Sequence, residues 1–159
     1  MLDPDVTVQN RAFLIGEEIL APEYRDLALR VLATATNQWL FHAAFRIALA
    51  QGANYECAKI WAQRFDEKLG EPGPAMTHWA MMALWETIAG GHISGGFNQT
   101  PEGEGLRELK VRWIQFIDAH RKELQAGRRF RPGDGSLPQE LLPAGWQFYP
   151  PKERGTKGE

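Results

Sequence analysis

Histidine and cysteine are the side chains best suited to move a proton or attack a substrate near neutral pH. This chain holds four histidines, His42, His78, His92 and His120, and one cysteine, Cys57. What they could do depends on their spacing. A di-iron site on a helical scaffold needs Glu-x-x-His pairs on two helices, and no Glu-x-x-His occurs anywhere in the sequence. A helix-borne zinc site needs His-x-x-x-His or His-Glu-x-x-His, and neither occurs. No metal and no cofactor are therefore expected. Cys57 has no neighbour that marks it as a nucleophile, and a lone cysteine forms neither an internal disulfide nor a Cys-based zinc site. His78 and Glu86 are too far apart along a helix to touch, at about 12 Å. What remains is convergence in space. His42, His78 and His92, with the glycine-rich stretch around His92, define a candidate pocket that would suit a small helical enzyme or a ligand-binding bundle.

Residues 90–105 invite a phosphate-binding reading, since six of these sixteen residues are glycine. That reading is rejected. The stretch follows a helix rather than a strand, lacks the lysine of a P-loop, and runs into Glu102 and Glu104, which would repel an anion at the start of the next helix. Ser94-Gly-Gly-Phe97 is expected to close a small hairpin with Gly95-Gly96 as its turn.

A second constellation suits protein binding. Trp146, Phe148 and Tyr149 lie in an extended, proline-flanked segment and are too apolar to stand in water; amphipathic aromatics of this kind anchor interfaces. Arg128, Arg129 and Arg131 end a run, residues 107–131, with eight bases against three acids, whereas residues 1–26 carry six acids and two bases. Segregated charge under a net charge of only −2 fits a basic patch that meets an acidic partner. A third constellation, residues 43–63, has the small residue (Ala48) and turn glycine (Gly52) of a helix-turn-helix. Its second helix would show Asn54, Tyr55, Glu56 and Lys59 with no arginine for phosphate or guanine, so DNA reading ranks last.

The elements that must position these residues are helical. Met76–Ala89 is apolar nearly all round, sits between Gly73-Pro74 and Gly90-Gly91, and is too short to cross a bilayer; it is expected to be the central rod of a bundle. Pro22–Ala50 is expected to form one long helix, with Thr34, Gln38, His42 and Arg46 as a polar seam. Residues 7–20 predict a first helix, although Gly16 weakens it. Tyr55–Leu69 predicts a helix with Ala58, Trp61, Phe65 and Leu69 facing inward. Leu106–Ala126 predicts an amphipathic helix with a seam of Leu106, Leu109, Trp113, Phe116, His120 and Leu124, ended by Gly127. In that seam His120 reads as a core-edge histidine with a hydrogen-bond partner. Of the last 33 residues, eleven are glycine or proline, which rules out long regular structure. Ser136-Leu-Pro-Gln139 resembles a capping box that should start one short turn.

The expectation is an all-α, single-domain bundle of about five helices: a helical part at 1–127 containing the long loop 90–105, and an extended Pro/Gly-rich aromatic tail at 128–159. The absence of a basic-then-apolar leader and the single cysteine point to the cytoplasm. The leading functional expectation is a non-catalytic, protein-binding protein, with a protein partner or a second copy of itself. It would be an assembly subunit, adaptor or inhibitor of the kind that bacteria, phages and mobile elements encode, docking through the aromatic tail and the basic last helix. The enzyme or ligand-binding pocket is the alternative. If the tail is a detachable anchor, a chain ending at Leu142 should keep its melting temperature and lose its partner.

Overall fold

The computed structural model describes residues 24–36, 38–64 and 75–150. The helix expected at 7–20, the inward-facing Phe65 and Leu69, the side chain of Trp79 and the charged residues 151–159 lie outside the described residues. The fold is all-α. Among the described residues six helices, α1 (Tyr24–Thr34), α2 (Gln38–Ala50), α3 (Asn54–Arg64), α4 (Ala75–Ala89), α5 (Gly103–Ala119) and α6 (Arg121–Gln125), share one hydrophobic core. Two short strands, β1 (His92–Ser94) and β2 (Gln147–Tyr149), complete it. Among the described residues no helix is long and apolar enough to cross a membrane.

The single helix expected from Pro22 to Ala50 is two. The break follows Thr34, whose hydroxyl donates to the Arg30 carbonyl at 2.9 Å. Short polar side chains compete with the backbone ladder in this way and favour helix ends. The carbonyls released by the break are taken by Arg64 of α3, which donates to Leu32 O at 2.7 Å and to Ala35 O at 2.8 Å. The polar seam is therefore interrupted between Thr34 and Gln38, and His42 and Arg46 lie on the exposed side of α2.

The hub of the bundle is α3, not α4 as the hydrophobicity of Met76–Ala89 suggests. Helix α3 packs against α1, α2, α4, α5 and α6. Its Cys57, Ala58 and Ala62, with Ala53 just before it, are fully buried, and side chains this small let backbones approach from several directions. Ion pairs fix its neighbours: Arg25 of α1 reaches Glu56 at 2.9 Å, and Lys59 holds both carboxylate oxygens of Asp118 on α5 at 2.6 and 2.5 Å. Helix α4 is buried along most of its length, through Ala80, Met81, Ala83, Leu84, Trp85, Ile88 and Ala89. It needs cover on more than one side: α3 packs on it, and so does β1.

The hairpin expected at Ser94–Phe97 does not form. Strand β1 instead pairs antiparallel with β2, with His92 opposite Tyr149, Ile93 opposite Phe148 and Ser94 opposite Gln147, while Phe97–Gln99 makes a 3-10 turn. The tail thus runs extended over the bundle and contributes Phe130, Leu137, Leu141 and Trp146 to the common core. The short turn expected after Ser136 is present at Gln139–Leu141, but Ser136 does not cap it; its Oγ accepts from the Arg131 N–H at 2.9 Å.

The helix expected over Leu106–Ala126 is interrupted at His120, whose backbone leaves helical geometry (φ −108°, ψ 23°). Its Nδ1 bonds the Phe116 carbonyl at 2.9 Å, and since a carbonyl only accepts, Nδ1 carries the proton. The ring packs between Phe116 and Phe130, so His120 is the partnered core-edge residue its place in the seam implies. Gly127, at φ 78°, ends α6 as expected: its N–H bonds Leu124 O and the Arg128 N–H bonds Glu123 O.

Candidate functional site

The glycine-rich loop and the aromatic tail, separate features in the sequence, form one structure. Gly91 follows α4 where the tail crosses it. A Cβ at this position would land on the Tyr149 carbonyl oxygen and within 2.7 Å of the Phe148 ring. At Gly95 a Cβ would meet the Trp146 indole at 2.5 Å. These residues are glycine because the tail lies directly on their backbone. Trp146 is buried there, and its indole N–H donates to Gln99 O at 3.3 Å. Phe148 packs on Trp85, with ring centroids 5.5 Å apart, and Trp85 in turn meets Trp113 edge-on at 5.8 Å.

The three histidines of the candidate pocket are distributed as follows. His78, on α4, is buried beneath Trp146 with ring centroids 4.6 Å apart, and burial pulls its pKa below the ordinary histidine value. His92, on β1, is exposed and stacks flat on Tyr149, with centroids 5.1 Å apart and planes 12° apart. His42 is exposed on α2 beside Phe45. Two of the three therefore serve the tail: His78 holds its buried aromatic and His92 its exposed one. Among the described residues no group of three or more His, Cys, Asp or Glu side chains is arranged to hold a metal ion. Cys57 is fully buried in α3, and burial pushes its thiol up to about 12, with the Glu56 charge adding to the shift; a thiol in that state is a poor nucleophile.

The basic candidates are largely engaged within the chain. Arg128 pairs with Glu123 and lies 4.9 Å over the Phe130 ring. Arg129 donates to the carbonyl of Thr87 and, at 3.4 Å, to that of Glu86, which also accepts the Gly90 N–H. Burial lowers the pKa of Arg129, and the Glu86 charge opposes that shift. Arg131 is exposed. Upstream, Arg107 pairs with Glu104 and Arg112 with Glu108.

One convergence results. The Arg129 side chain lies along Gly90, with its Cδ and Nε within 3.6 Å of where a Cβ would stand. Gly91 meets the tail at Tyr149, and Tyr149 stacks on His92. The stem of Arg129 thus lies against Gly90, and the Tyr149 backbone against Gly91, in the turn after α4. Pairing register sets this arrangement. In a strand, alternate side chains point to opposite faces, so Ile93 and Phe148 go inward while His92, Ser94, Gln147 and Tyr149 go outward. Beyond the β1–β2 pair, the backbones of 92–94 and 147–149 make no further sheet bond among the described residues.

The second helix of the 43–63 region has no free face. Only Gln63 of α3 is exposed, and Tyr55, Glu56 and Lys59 are engaged with Asp118 and Arg25. Compared with known proteins, the chain matches no family profile, no curated sequence and no solved structure.

Proposed function

We propose that this is a protein-binding protein that receives an extended, acidic segment of its partner along an open edge of the β1–β2 ribbon. The observation that carries the reading is Tyr149. It is one of two large hydrophobic side chains that stand exposed among the described residues, at 40%, and it is stacked flat on His92. A tyrosine fixed by a stacking neighbour loses little side-chain entropy on docking, which is the property of an interface anchor. The two strands offer backbone groups to a third, so an extended segment could add to the ribbon by main-chain hydrogen bonds. Arg129, whose stem lies along Gly90 next to β1 and whose hydrogen bonds go to carbonyls rather than to a carboxylate, favours acidic side chains on that segment.

The test is capture of a partner from native lysate, followed by titration of that purified partner against variants. Tyr149→Ala should weaken binding about tenfold or more, equivalent to about 1.4 kcal/mol, without moving the melting temperature. Arg107→Ala, far along α5, should bind as the parent does. Equal affinity for the parent and Tyr149→Ala would refute the proposal.

A further inference from the structure

A second surface, on α5, is fitted to a different occupant. Between α5 and the Gln139–Leu141 turn runs a groove of about 640 Å³ lined by Arg112, Gln115, Phe116, Pro138, Glu140 and Leu141. Phe116 and Leu141 belong to the core and form an apolar floor, while Arg112 on the helix side and Glu140 on the turn side give walls of opposite charge. Beside the groove on the same helix stands Val111, at 52% the most exposed large apolar side chain described.

We infer that this groove is a self-association surface, and that its occupant is the α5 helix of a second copy. A two-fold interface requires self-complementarity: if residue i of one chain meets j of the other, then j must meet i. Opposite charges on the two walls satisfy this, because each copy's Arg112 meets the other's Glu140. The apolar part satisfies it as well. Two α5 helices laid antiparallel about a two-fold axis beside Val111 set the two Val111 side chains against each other. Arg112 is already paired with Glu108 at 3.3 Å, but that pair is solvent-exposed and of small energy, so a second carboxylate can share the guanidinium. The surface is modest, which implies an association in the micromolar range or weaker. It does not involve Tyr149 and is independent of the ribbon.

Sedimentation of the full chain over a range from low micromolar to near-millimolar should show the mass rising from 18.0 kDa toward twice that value. Val111→Glu should remain monomeric throughout and keep its melting temperature, since the residue is exposed. Arg112→Glu and Glu140→Arg should each weaken the dimer, and the two together should restore it. A chain that stays monomeric at every concentration overturns the inference, as does a dimer indifferent to Val111→Glu. Failure of the double charge exchange to restore a dimer lost in both single variants overturns the two-fold arrangement.

Discussion

Arg64 lies in the core with 8% of its surface exposed, and a guanidinium so placed is tolerable only because both arms of its fork reach carbonyls that the end of α1 leaves open. It also covers the Phe41 ring at 5.2 Å. Arg129 reaches the end of α4 with one arm, which donates to the Thr87 carbonyl and, more distantly, to that of Glu86. In both cases a residue from outside the helix supplies the cap, a contact that no local motif announces. Replacing Arg64 by Met should therefore cost about 3 kcal/mol, because two charge-assisted hydrogen bonds are lost and two carbonyls remain without donors. Gln63→Met, at the exposed neighbouring position, should change stability by less than about 0.5 kcal/mol. Urea unfolding of the two variants separates them, and a cost for Arg64→Met as small as that for Gln63→Met would mean that water replaces the cap. Arg64→Lys should recover only part of the loss, since an ammonium presents no planar fork.

At the scale of elements, the contact between the glycine loop and the tail changes the outcome expected of truncation. A proline-flanked aromatic segment reads as detachable, so its loss should leave melting unaltered. With Trp146 buried and Phe148 on Trp85, removal after Leu142 instead strips the cover from α4, and the buried tryptophan alone is worth about 3–5 kcal/mol. Gly91→Ala should reach the same end with one methyl group, because its Cβ falls on the Phe148 ring and the Tyr149 carbonyl. Expected are a lower melting temperature and faster amide exchange at 147–149; unchanged exchange there would show that the tail accommodates the methyl group. Much of this architecture was legible in the chain. Gly90-Gly91 and Gly127 mark helix ends, and the seam of α5 is written in Leu109, Trp113 and Phe116. The apolar tail plainly needed cover. What covers it was not legible, because Gly91 and Gly95 owe their identity to residues more than fifty positions away, and local pattern carries no such information. The role of α3 was hidden for another reason: a hub needs small residues, and Ala58 and Ala62 add little to any hydrophobicity count. The candidate site divides in the same way. Tyr149 was recognisable as an anchor type, but strand register, a long-range property, decides that it meets His92.

For the molecule as a whole, acid should act in two steps. Burial holds His78 below the ordinary histidine value, so in the window beneath about pH 6.5 the unfolded chain binds a proton that the folded chain refuses. Its contribution to stability is full above that value and is lost as pH falls through the window. Asp118, held low by the Lys59 hydrogen bond, keeps its contribution above about pH 4 and loses it below. Thermal melts at pH 7 and pH 5 should show the first step, and His78→Phe should flatten it; parallel losses in parent and variant would assign the step to other groups. The ladder that sets His92 against Tyr149 has a further consequence, in time rather than in energy. Its two strands lie about fifty residues apart, and closing a loop of that length is slow compared with forming a helix. During synthesis α4 is made well before the segment that will shield Trp85 and His78, so a nascent chain leaves that side of the helix bare until residues 146–148 emerge. That interval, more than any weakness of the finished fold, is when the protein is most prone to aggregate.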